Sequence, residues 1–129
     1  MNKAFVKESS GDDEDDELGG GLPPIPAGAA DWKITAIQPF TQNVTLNTMQ
    51  PHMHLRGKDF ELRLIFPSGE TKTVLKGKWN FDWHLGYDLT APIDMPVGTR
   101  IVSICHFDNS AANKANPDPK QLVTWGDQN

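Results

Sequence analysis

Residues 58–77 read KDFELRLIFPSGETKTVLKG. Phe60, Leu62, Leu64 and Phe66 alternate with Asp59, Glu61, Arg63 and Ile65, the two-residue period of a strand whose faces differ in polarity. Pro67-Ser68-Gly69 supplies turn chemistry, and ETKTVLKG returns as the partner strand. The rest of the body repeats this pattern. WKITAIQPF (32–40) and NVTLNTM (43–49) are rich in β-branched residues with near-alternating polarity. WNFDWHLGYDL (79–89) reads as a further, aromatic strand, and Pro92 to Gly98 as a loop. TRIVSICHFD (99–108) reads as a buried strand, with Ile101, Ser103, Cys105 and Phe107 on one face and Val102, Ile104 and His106 on the other. DNSAANKANPDPKQ (108–121) is a long Asn/Asp/Pro loop, and LVTW (122–125) a last short strand. No segment carries the i, i+3, i+4, i+7 stripe of a helix. Seven or so short strands with turns between them predict an all-β fold, an antiparallel β-sandwich.

Charge is unevenly placed. Residues 1–17 hold seven acids against Lys3 and Lys7, which leaves ten acids and ten bases in residues 18–129. The acidity belongs to a tail and the body is neutral. Residues 8–30, ESSGDDEDDELGGGLPPIPAGAA, join an acidic run, a Gly run and a Pro-rich stretch, too poor in apolar area to offset their ordering entropy. They read as a disordered tail or interdomain linker, an acidic docking tail or cation sink being the alternative; residues 1–23 are assigned to the tail and 24–129 to one domain. No basic patch points to nucleic acid. No apolar run reaches the roughly 18–20 residues of a membrane span, and MNKAFVKESS lacks the apolar region of a secretory signal. The single cysteine, Cys105, excludes an internal disulfide and reads as a buried, inert thiol.

PHMHLRGKDF (51–60) is the stretch that raises a question of chemistry. On a strand His52 and His54 share a face, roughly 6–7 Å apart, a spacing that lets two imidazoles grip one metal ion. A solvated strand face carrying two unligated histidines has the same appearance. Met53 points the other way, into the core. Imidazole suits copper, zinc, iron and nickel, and the third ligand selects among them. His84, His106, Met49, Met95 and Cys105 are the candidates; His106, on a central strand, could face the same side as the pair or equally be a histidine hydrogen-bonded at the strand end, while His84 sits among aromatics that favour a packed neutral ring. The Asp108–Asp118 loop is rich in oxygen ligands but lacks the spacing and closing glutamate of a calcium loop, so turn chemistry is the reading there. Asn43-Val44-Thr45 fits the glycosylation tripeptide. No nucleophile elbow, phosphate-binding glycine loop or Ser/His/Asp set is present in the sequence, which argues against a hydrolase.

Taken in order, IPAG (25–28), PHMHLRGKDF (51–60), FDWHLGYDL (81–89), PVGTRI (96–101), CHFDNSAANKANPDP (105–119) and VTWGDQ (123–128) resemble the C-terminal domain of the copper type II, ascorbate-dependent monooxygenases, the family of peptidylglycine α-hydroxylating monooxygenase and dopamine β-monooxygenase. The resemblance covers about residues 24–129 and is closest to bacterial members. It implies a jelly-roll-like sandwich and a periplasmic or secreted setting. It further implies a companion domain that stores electrons on a second copper, with ascorbate or another donor supplying them. His52 and His54 match the family's HxH ligands at the copper, cycling between Cu(I) and Cu(II), where dioxygen is activated for C–H hydroxylation. The family's third ligand is a methionine in a DEM-type segment after the WG-containing strand. The chain stops at Asn129 before such a segment, and none of its four methionines takes that place. The expectation is therefore an incomplete oxygen-side copper domain, with a vestigial copper-binding or structural module of a larger secreted protein as the alternative. Substrate contacts vary across the family, and the sequence names no substrate.

Overall fold

A computed structural model describes residues 23–124. Six strands run in chain order: β1 (Trp32–Pro39), β2 (Val44–Met49), β3 (Gly57–Ile65), β4 (Thr71–Lys78), β5 (Tyr87–Met95) and β6 (Arg100–Phe107). All pairings are antiparallel. They form a four-stranded sheet in the order β1-β6-β3-β4 and a two-stranded sheet, β2-β5. The all-β, antiparallel expectation holds, and no helix occurs among the described residues. None is therefore long and apolar enough to cross a membrane.

Strand β3 is central, paired to β6 on one side and β4 on the other. That placement explains its alternation. Phe60 and Leu64 are buried, Leu64 completely, while the opposite face carries Arg63, Lys76 and Thr73 around the Glu61 carboxylate. The hydrogen bond donated by Arg63, with smaller help from Lys76, holds the Glu61 carboxyl near 2. The β3–β4 hairpin closes through Gly69, whose φ of 88° few side chains tolerate, with Phe66 N–H donating to the Glu70 carbonyl at 2.9 Å.

Three sequence expectations need correction. Residues 79–86 are a loop, and the strand begins only at Tyr87. Asn80 Oδ1 accepts the Asp82 N–H at 3.0 Å and the Asn80 carbonyl accepts the Trp83 N–H at 3.0 Å, so a local turn takes backbone groups that a ladder would use. Conversely, Pro92 lies inside β5, which continues to a buried Met95 instead of looping from Pro92. β5 pairs with β2 alone, and an edge strand tolerates proline's missing donor. Finally, the linker assigned to residues 8–30 runs too far. Ile25 is buried, bridges to Val123 with N–H···O bonds of 2.8 and 3.0 Å, and packs with Ile34 under Trp32 and Phe107. Of the last predicted strand only that bridge forms at Val123; Trp125, like the tail at residues 1–22, lies outside the described residues.

Cys105, in β6, is a free thiol. Burial, aided by the Asp59 charge, pushes its pKa up to about 11. At pH 8 the thiolate fraction then falls about a hundredfold, partly offset by greater intrinsic nucleophilicity, so disulfide-reagent labelling should run about tenfold slower than in the urea-unfolded chain. Cys105 is half-buried rather than fully buried as the sequence suggested, and equal rates in the two states would contradict the raised pKa.

Candidate metal centre

The His52–His54 segment is not a strand. Residues 50–54 have no regular secondary structure and connect β2 to the turn at Leu55-Arg56 and β3. Burial still separates the side chains: Met53 and Arg56 are buried, whereas His52 is exposed and His54 half-buried. Met53, 5 % exposed, anchors the segment and turns the two imidazoles outward. Their Nε2 atoms stand 3.0 Å apart, with the rings edge-on at 88°. Two imidazole nitrogens at about 2.0–2.1 Å from one metal, separated by that 3.0 Å, subtend an angle of about 95° at the ion. A hydrogen bond between complementary tautomers has the same spacing, so the pair is poised either for a proton or for a metal.

Four contacts set this geometry. Gly57 N–H donates to the His54 carbonyl at 3.0 Å, closing the turn. The same carbonyl accepts the Trp79 indole Nε1–H at 3.0 Å, and Trp79 N–H donates to the Lys58 carbonyl at 2.9 Å. A Cβ on Gly57 would lie 2.5 Å from Trp79 Cδ1 and 2.8 Å from Met53 Cβ, so only glycine lets these chains approach. Desolvation, followed by the charges of His54 and His84, lowers the His52 pKa. That favours the neutral imidazole, the form that binds metal.

His84 joins the pair from the 79–86 loop. Its ring stacks on His52 at 5.3 Å with 23° between planes, and meets Trp79 at 5.0 Å and Phe81 at 5.4 Å. His84 makes the aromatic contacts expected of it, but its side chain is exposed rather than packed away. His106 goes elsewhere: its Nδ1 lies 2.5 Å from Asp59 Oδ1, across the β3–β6 ladder, and no ring contact links it to the other histidines. Met49 and Met95 are buried, at the ends of β2 and β5. Among the described residues no three His, Cys, Asp or Glu side chains converge on one point. A recess opens beside the pair, lined by Pro51, Phe60, Trp79, Trp83, Leu85 and Tyr87 with the polar Lys78 and Asn80. Trp83 is 65 % exposed at its rim.

Behind the site lies a device the sequence did not announce. Arg56 is buried, and among the described residues it has no ion-paired carboxylate; its Nε donates to Asn109 Oδ1 at 2.8 Å and its Nη2 to the Asp118 carbonyl at 3.4 Å. Asn109, wholly buried, donates through Nδ2 to the Pro26 and Gln121 carbonyls at 2.9 and 2.8 Å, and its Oδ1 also accepts from Asn116. Asn113 Nδ2 holds the Leu55 carbonyl, and Asp108 N–H donates to the Arg56 carbonyl. The 108–121 loop is thus the frame that grips the end of the histidine segment. Its Asp and Asn side chains accept backbone N–H groups two residues on, at Ser110, Ala115, Asp118 and Lys120, as expected for turn chemistry.

No family model, curated protein or solved structure matches this chain.

Proposed function

We propose that the chain is the oxygen-side copper domain of a copper-dependent monooxygenase. The observation that carries this reading is the Nε2 pair of His52 and His54, 3.0 Å apart and held by Gly57 and Trp79 at the separation of a two-imidazole chelate. Imidazoles fit copper, which when bound supplies the redox chemistry for C–H hydroxylation. The residues of this chain hold and orient: Met53 anchors, the Trp79 and Gly57 donors fix the His54 backbone, and the low basicity of His52 keeps a lone pair free. The recess beside the pair, aromatic but with Lys78 and Asn80 in its lining, offers a place for a substrate near the ion. A companion electron-storing domain and a donor such as ascorbate complete the reaction, and the setting is periplasmic or secreted. The second reading is a non-catalytic copper-binding or structural module. It is favoured by the lack of three converging ligands among the described residues.

Anaerobic Cu(I) titration tests the site. The wild-type chain is expected to bind one equivalent, and His52→Ala/His54→Ala to bind none while unfolding at nearly the same urea concentration, since neither imidazole fills the core. Copper retained by the double variant, or no copper in the wild type, refutes the assignment.

A further inference from the structure

We propose that His84 is a third ligand of a metal held by His52 and His54. The proposal rests on the metal reading of that pair and adds a residue to it. Three of the chain's four histidines gather here although His84 comes from a different connection, about thirty residues along the chain. The ring centre of a metal-bound imidazole lies about 3.1–3.2 Å from the ion, so two rings on one ion at 90–120° have centres about 4.5–5.5 Å apart. The His52–His54 and His52–His84 separations, 4.9 and 5.3 Å, both fall in that span.

What the structure lacks is convergence of the third nitrogen. His52 and His84 lie nearly parallel, so their in-plane lone pairs do not meet at one point. The correction required is a turn of one exposed side chain. His84 meets the rings of His52, Trp79 and Phe81, is exposed, and among the described residues no hydrogen bond is made by its side chain. Rotamer changes of exposed side chains take picoseconds to nanoseconds and cost little. Giving up a stacking contact for a metal–nitrogen bond is favourable. The His52 and His54 nitrogens already stand at chelating distance. The 79–86 loop is tied at its start, by Trp79, to the His54 carbonyl, so the third ligand is carried on a segment fixed to the first two.

The test uses the full chain, with Cu(I) under anaerobic conditions and a competing chelator to read affinity, and X-ray absorption to count imidazoles. Wild type should show three imidazoles. His84→Ala should show two and bind at least about tenfold more weakly, with an unchanged unfolding midpoint. Copper bound by His84→Ala with wild-type affinity and an unchanged imidazole count overturns the third-ligand proposal and leaves the His52–His54 site standing. No copper in the wild type overturns both.

Discussion

Asn109→Ala is expected to cost about 3–5 kcal/mol of folding stability, a large part of what a domain of this size possesses. The methylene count changes little; the cost comes from polar groups. The substitution removes the one side-chain acceptor of Arg56 Nε and strands a guanidinium that is 1 % exposed. It also leaves the Pro26 and Gln121 carbonyls and the Asn116 amide without their bonds to this side chain. Each buried group left unsatisfied costs about 1–3 kcal/mol. Urea unfolding followed by tryptophan fluorescence reads the loss as a midpoint lowered by about 2 M. A double-mutant cycle with Arg56→Met separates the charge from the rest. With the guanidinium gone, Asn109→Ala should cost at least about 1 kcal/mol less, because no buried charge is abandoned. Strict additivity would show that Arg56 and Asn109 are neighbours without being energetically coupled, and that the loop frame is held by its backbone bonds alone.

The second large effect is at Gly57. Alanine there places its methyl 2.5 Å from Trp79 Cδ1 and 2.8 Å from Met53 Cβ, and neither neighbour is free to retreat. Trp79 is bonded at both its backbone and its indole nitrogen, and Met53 is packed in the interior. Overpacking of this kind costs about 1–3 kcal/mol. Relief is expected through the indole, which gives up the His54 carbonyl and with it the constraint on the imidazole pair. Gly57→Ala should therefore both destabilise the fold and weaken metal binding at His52 and His54. Trp79→Ala should restore tolerance: in that background the clashes with the indole Cδ1 and Cγ are gone and the 2.8 Å approach to Met53 Cβ remains, so the stability cost of Gly57→Ala should fall by about half. If Gly57→Ala leaves stability and the indole fluorescence at wild-type values, the close approach is not a constraint and the turn has slack.

Much of the fold was readable in the alternation of residues 58–66. A strand with Phe60, Leu62 and Leu64 on one side and Asp59, Glu61 and Arg63 on the other has one way to sit in a sheet, and it sits there, at the centre. The hairpin at Pro67-Ser68-Gly69 followed from local dihedral requirements, as did the turns of the Asn/Asp loop. The aromatic stretch misled for an equally local reason. Trp, Phe and Trp alternate there with Asn and Asp as a strand would, but Asn80 closes a turn on its own backbone and Trp79 is drawn to the His54 carbonyl 25 residues away. Periodicity does not see a side chain recruited by a distant backbone.

The sequence by itself determined the all-β class, the central hairpin and the outward presentation of His52 and His54 around a buried Met53, because each depends on neighbours within a few residues. Only the tertiary structure decided the rest. It buried Arg56 against Asn109 across 53 positions, set Gly57 under Trp79, sent His106 to Asp59 and brought His84 to His52. These are contacts between segments whose own patterns are polar and irregular. Their partners are selected when strand pairing closes the chain on itself, and nothing in the spacing of either segment carries the identity of the other.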